Sequence, residues 1–99
     1  MELIVNDDLT INDPSSDDII QNINNLDFEE FIILAKSSEY YIQAYYSDEP
    51  DESVIEYRDG SEAEHFQSTL VDKASLVEAL TLYLNNDHSF KSTHSWEKI

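Results

Sequence analysis

Two runs of β-branched and aromatic residues, FIILAK at 31–36 and EYYIQAYY at 39–46, stand on either side of Ser37-Ser38. Side chains of that type, broken by two small polar residues, predict a β-hairpin. In the second run Tyr40, Ile42, Ala44 and Tyr46 fall on one face; Tyr41, Gln43 and Tyr45 fall on the other, polar one. A chain organised around such a hairpin builds an antiparallel sheet. The segment SVIEYR (53–58) extends it, setting Val54, Glu56 and Arg58 against Ile55 and Tyr57. Asp59-Gly60, which contains the single glycine of the chain, predicts a two-residue turn. EAEHFQSTL (62–70) then predicts another strand with Phe66 and Leu70 inward. Before SVIEYR, the loop SDEPDE (47–52) carries Pro50, which discourages the ladder.

Two segments change the period. In NDPSSDDIIQNINNL (12–26), Asp13 is placed to cap a helix, with Pro14 at its first position. Asp17 and Asp18 sit at the positive end of its dipole. Ile19, Ile20, Ile23 and Leu26 follow one helical stripe. In KASLVEALTLYLNN (73–86), Asp72 caps; Leu76, Val77, Leu80, Tyr83 and Leu84 form the buried face, and Lys73, Glu78 and Thr81 look outward. Asn85-Asn86-Asp87 ends this helix without a glycine. At the start, LIV and LTI around Asn6-Asp7-Asp8 add a strand or two, and Phe90, Ser92, His94 and Trp96 alternate in a closing segment. The expected fold is α+β: one domain spanning residues 1–99, an antiparallel β-sheet of about four to five strands with two α-helices packed on one face, the other face open to water.

The charge limits what such a surface meets. Against 22 Asp and Glu stand 5 Lys and Arg, a net charge of −17. Two like charges about 7 Å apart in water repel by only ~0.6 kcal/mol. Summed over this excess, the repulsion approaches the ~5–15 kcal/mol stability of an ordinary domain. Nucleic acid and anionic membrane are excluded as direct partners, because their phosphates are repelled. The acidic N-terminus does not resemble a signal peptide, no apolar run is long enough to span a membrane, and the chain has no cysteine. The expectation is a cytoplasmic protein without disulfides.

Sites for chemistry are scarce. The acids of residues 48–62 fit no register of a calcium-binding loop, and His65, His88 and His94 have no zinc spacing. There is no nucleophile elbow, phosphate-binding loop or dinucleotide fingerprint. One glycine leaves little backbone to cradle a phosphate. No metal, cofactor or catalytic residue is assigned, and the chain is not expected to be an enzyme.

What remains is the run DEPDESVIEYRDGSEAE (48–64), with eight carboxylates in seventeen residues and Arg58 as the one cation. A solvated sheet edge explains a few such charges, but solubility alone calls for mixed signs. Carboxylates along a strand and its flanking loops imitate a nucleic-acid backbone, and a basic protein meets them with Arg and Lys. The expected contact residues are Asp48, Glu49, Asp51, Glu52, Glu56, Asp59, Glu62 and Glu64, with Tyr41 and Tyr45 as aromatic anchors.

The order of these segments resembles the first family of small immunity proteins in bacterial polymorphic-toxin and contact-dependent growth inhibition systems. A helix opened by proline is followed by an aromatic hairpin. Then come Glu56-Tyr57-Arg58 with Gly60, a helix ending at Tyr83-Leu84 with Asp87, and Trp96. The likeness covers nearly the whole chain, although Asp87-His88 stands where the family tends to a glycine. It implies a protein that neutralises a cognate basic toxin domain (an RNase, DNase or deaminase) as a monomer or in a 1:1 heterodimer. The alternative class is a general nucleic-acid mimic, or an acidic adaptor, that binds several basic proteins.

Overall fold

Ile32, Leu34, Ile42, Ala44 and Ile55 are all buried, and the alternation that predicts them is the backbone of the fold. In the computed structural model, which describes residues 1–49, 52–70 and 72–99, the strands are β1 (Glu2–Val5), β2 (Leu9–Asn12), β3 (Glu30–Ser37), β4 (Tyr40–Tyr46), β5 (Val54–Asp59), β6 (His65–Thr69) and β7 (Glu97–Lys98). The helices are α1 (Ser16–Asn24) and α2 (Lys73–Leu84). All pairings are antiparallel, in the order β2-β1-β3-β4-β5-β6-β7. The fold is thus α+β as expected, but the sheet has seven strands, not four to five. The N-terminal segment supplies two complete strands, and β7 is only two residues long. Elements so short carry almost no alternation to read.

Both helices cover one face. Ile19, Ile23 and Leu26 from the α1 segment meet Leu76, Ala79 and Leu80 of α2 over the inward residues of the sheet, forming one core. Burying each Leu or Ile contributes ~1.5–3 kcal/mol. Ile20, expected in the stripe, is exposed, because a nine-residue helix on a flat sheet buries only a narrow seam. Aromatic rings close one end of this layer. Tyr57 packs against Phe66, Phe90 and Trp96 at centroid distances of 4.9, 5.3 and 4.7 Å. Burial and the nearby Asp59 carboxylate push the Tyr83 hydroxyl up to about 12.

Several local expectations change. The cap of α1 is Ser15, not Asp13: Ser15 Oγ accepts from Asp18 N at 3.2 Å, and Asp18 Oδ2 accepts from Ser15 N at 2.9 Å. This reciprocal capping box satisfies two otherwise free N–H groups. Asp13 instead ends β2 in a left-handed conformation, its N–H donating to Met1 O at 2.7 Å. Asp72 does cap α2, accepting from Ser75 N at 2.7 Å. Lys73, predicted to face solvent, donates to Asn24 O and Leu26 O at 3.2 and 2.7 Å and so finishes the end of α1. Asp59-Gly60 does not form a two-residue hairpin. The connection runs through a 3-10 turn at Glu62–Glu64, and Gly60 (φ +106°) donates to Glu39 O at 2.8 Å. A Cβ there would meet the Tyr40 hydroxyl at 3.0 Å. The glycine serves a close approach between two turns. Pro50, expected to interrupt the ladder, lies outside the described residues. Among the described residues no helix is long and apolar enough to cross a membrane.

Candidate interaction surface

The antiparallel order decides where the acids go. Asp48, Glu49 and Glu52 lie in the β4–β5 loop, whereas Asp59 is the last residue of β5 and Glu62 and Glu64 lie beyond it. Six residues of strand separate the two groups by ~20 Å. Glu56 alone lies between them on the uncovered face; Asp59 has the opposite sense and pairs with Lys91 Nζ at 3.0 Å. Asp51 lies outside the described residues. The continuous run of the sequence is therefore two separate groups in space.

One of those groups gains members from elsewhere. The β1–β2 turn brings Asp7 and Asp8 to the same sheet end as the β4–β5 loop, and the segment before β3 brings Asp27 and Glu29 beside Glu30, the first residue of β3. Local bonds fix this end. Glu30 Oε2 accepts from Asn6 Nδ2 at 2.6 Å, and its Oε1 accepts from Asp27 N at 2.7 Å. Ser53 Oγ accepts from Ser47 N at 2.9 Å and donates to Ser47 O at 3.2 Å, closing the neck of the acidic loop. Two large apolar side chains stand among the carboxylates: Leu9, and Phe28, which is 57% exposed and stacked on Tyr46 at 5.2 Å. None of Asp7, Asp8, Asp27, Glu29 or Phe28 was expected in the surface. Only the strand order brings these short acidic stretches beside Asp48 and Glu49.

Lys73 stands near this end, its Nζ on Leu26 O at 2.7 Å and 5.2 Å from the centre of the Tyr46 ring. Arg58 pairs with Glu39 at 3.2 Å and Lys91 with Asp59 at 3.0 Å, both at the opposite end of β5. Among the described residues, no Lys, Arg or His comes within ion-pair distance of Asp7, Asp8, Asp27, Glu29, Asp48, Glu49 or Glu52. The Debye length at physiological salt is about 8 Å, shorter than the length of the sheet. The distant pairs do little for the acidic end, and one nearby cation, Lys73, against eight carboxylates leaves it strongly negative.

The uncovered face is more apolar than the sequence suggests. Ile4, Phe31, Ile33, Ala35 and Val54 share it with Tyr41, Gln43 and Tyr45. The two tyrosines have different surroundings. Tyr45 is exposed; Tyr41 is half-buried, with the Arg58 guanidinium over its ring at 5.8 Å and the edge of His65 at 5.9 Å. Arg58 donates to His65 Nδ1 from Nε at 3.3 Å and lies 3.2 Å from it through Nη2. Arginine can only donate, so Nδ1 is the acceptor and the ring proton sits on Nε2. That nitrogen faces Glu56 Oε2 at 3.5 Å, a contact too long for a hydrogen bond. The larger cavity, about 470 Å³, lies at the β6–β7 edge and is lined by Gln67, Thr69, Thr93, His94, Ser95 and Glu97 among others. Among the described residues no three His, Asp or Glu side chains converge as metal ligands would.

Fold and surface together define a small α+β protein with an open sheet face and one strongly acidic end. Comparison with family models, with curated proteins and with solved structures finds no match to the chain.

Proposed function

We propose that this is an immunity protein. It binds a cognate toxin domain of basic, nuclease-like character in the cell that makes both, and covers that domain's substrate groove. The observation that carries the reading is the strongly acidic sheet end, where carboxylates from three connections stand around Phe28 and Leu9 and outnumber the one nearby cation, Lys73. Carboxylates gathered at one end present negative charge as phosphates do, steering a cationic groove onto the protein. Exposed apolar side chains among them give the contact its shape dependence. The resemblance of the segment order to small immunity proteins points the same way. A general nucleic-acid mimic needs only the charges. The apolar groups favour one partner of matching shape over many basic ones.

The test uses the basic C-terminal domain of a large secreted protein encoded in the adjacent upstream reading frame. Replacing Asp7, Asp27, Asp48 and Glu52 together by Lys is expected to slow association by about tenfold or more. Replacing four exposed acids away from that end, Glu2, Glu62, Glu64 and Glu97, by Lys is expected to change it by less than about threefold. Equal effects from the two sets mean that net charge alone drives binding and that the surface is misassigned. Similar affinity for unrelated basic nucleases favours the general mimic. A metabolic operon without such a toxin counts against the immunity role.

A further inference from the structure

A cleft of about 240 Å³ opens on the uncovered face of the sheet, walled by Phe31, Ile33, Tyr45 and Val54 with Gln43 and Glu56 at its edge. The walls are cross-strand neighbours: Phe31 faces Tyr45, Ile33 faces Gln43, Tyr45 faces Val54 and Gln43 faces Glu56. The β-ladder therefore fixes the shape of the cleft. Among the described residues Glu56 is the one carboxylate bordering it, and its side chain is only 20% exposed. Both of its contacts fall on one oxygen. Gln43 Nε2 donates to Oε2 at 2.6 Å, and His65 Nε2 lies 3.5 Å from the same atom. Among the described residues no donor reaches Oε1. Arg58, the nearest cation in the strand register, is turned away to Glu39 and His65.

A half-buried carboxylate has lost much of its hydration on folding, and here no cation offsets that loss. We propose that the cleft receives an arginine side chain of the basic partner, with the aliphatic stem along Ile33 and Val54 and the guanidinium on Glu56. Arginine fits better than lysine for two reasons. A guanidinium is weakly hydrated and loses little on entering apolar walls, and its flat face lies against aromatic rings such as Tyr45 and Phe31. An ammonium keeps its water and stays at the acidic rim. The identity of the partner as a basic protein rests on the reading above; the chemistry of the cleft does not.

The experiment separates the two. The full-length protein is titrated with N-acetyl-arginine amide and followed by amide NMR, including the side-chain NH2 of Gln43. Saturable shifts at Gln43, Tyr45 and Val54 are expected, weakened by about tenfold or more in Glu56→Gln. The neutral Val54→Phe, which fills the cleft, is expected to abolish them. Both variants are checked for folding by their thermal melts. N-acetyl-lysine amide is expected to perturb the acidic end without saturating at Gln43. The proposal is overturned if Gln43 does not shift, if Glu56→Gln binds as the wild type does, or if the lysine compound gives the same pattern. Against a basic toxin domain, Glu56→Gln is expected to raise Kd by about tenfold through faster dissociation. An unchanged Kd overturns the cleft while leaving the acidic end in place. If no basic protein binds, the functional reading falls, and the amide titration still decides the chemistry of the cleft.

Discussion

Glu29 combines a steric cost with a place in the candidate surface. Its φ of 67° is left-handed, a region that non-glycine residues occupy at a cost of about 1 kcal/mol. It is held there because its N–H donates to Tyr46 O while Phe28, one residue earlier, stacks on the Tyr46 ring. Such strain is tolerated where the neighbouring bonds over-determine the backbone. Glu29→Gly is therefore expected to raise the melting temperature by a few degrees, as relief of about 0.5–1 kcal/mol does in a domain of this size. The same change removes a rim carboxylate and is expected to slow association with a basic partner by about twofold. A melt at or below the wild-type temperature shows that position 29 is unstrained. No local pattern foretells the left-handed turn, since glutamate is the wrong residue for it. Nor does sequence spacing reveal Lys73, whose partners Asn24 and Leu26 lie 49 and 47 positions away. Residues acting through such long-range contacts leave no local signal in the sequence.

Elements with strong periodicity were read well and short ones poorly. The β3–β4 hairpin, the sense of Val54, Glu56 and Arg58, and the Asp72 cap follow from local chemistry and stand in the structure. The start of α1 was misplaced because Asp13-Pro14 offers a plausible cap two residues before the Ser15 box. Two adequate signals competed, and reciprocal bonding at Ser15 and Asp18 won. The cap of α2 has a pH signature. The Ser75 backbone N–H and side chain both stabilise the ionised Asp72, holding its carboxyl below the usual value. A carboxylate depressed in the folded state stabilises above its unfolded value near 4, and that stabilisation is lost as pH falls through the folded value. Asp72→Ala is expected to melt several degrees below wild type at pH 7, with a gap that narrows as pH drops from about 4 to 2.5. Melts that stay equally far apart across that range mean that the Asp72 charge does not contribute to the cap. Asp87, which caps the following 3-10 turn through Ser89 N at 2.9 Å, is depressed by the same kind of bond.

At the scale of the whole molecule, charge is segregated along the strands, and this was the least readable property of all. The run 48–64 announces an acidic surface, yet folding sends Asp48 and Glu49 to one end and Glu62 and Glu64 to the other. It then brings Asp7, Asp27 and Glu29 in beside the first pair. Strand order, not residue order, decides which acids become neighbours. The consequence is measurable with salt. Repulsion within the acidic end strains the free protein, because Lys73 is one nearby cation against eight carboxylates and Arg58 and Lys91 are paired at the opposite end of β5. Added NaCl screens that repulsion, so raising it from about 10 mM to about 300 mM is expected to increase the melting temperature by several degrees. The attraction to a cationic groove is screened by the same ions, and association is expected to slow by about tenfold over that range. Salt thus strengthens the free fold and weakens the encounter. The Lys variant at Asp7, Asp27, Asp48 and Glu52 should lose both responses together, since it removes the common cause. If that variant keeps the stabilisation by salt while losing the salt-dependent association, the two effects arise from different charges, and the strained end is not the surface that meets the partner.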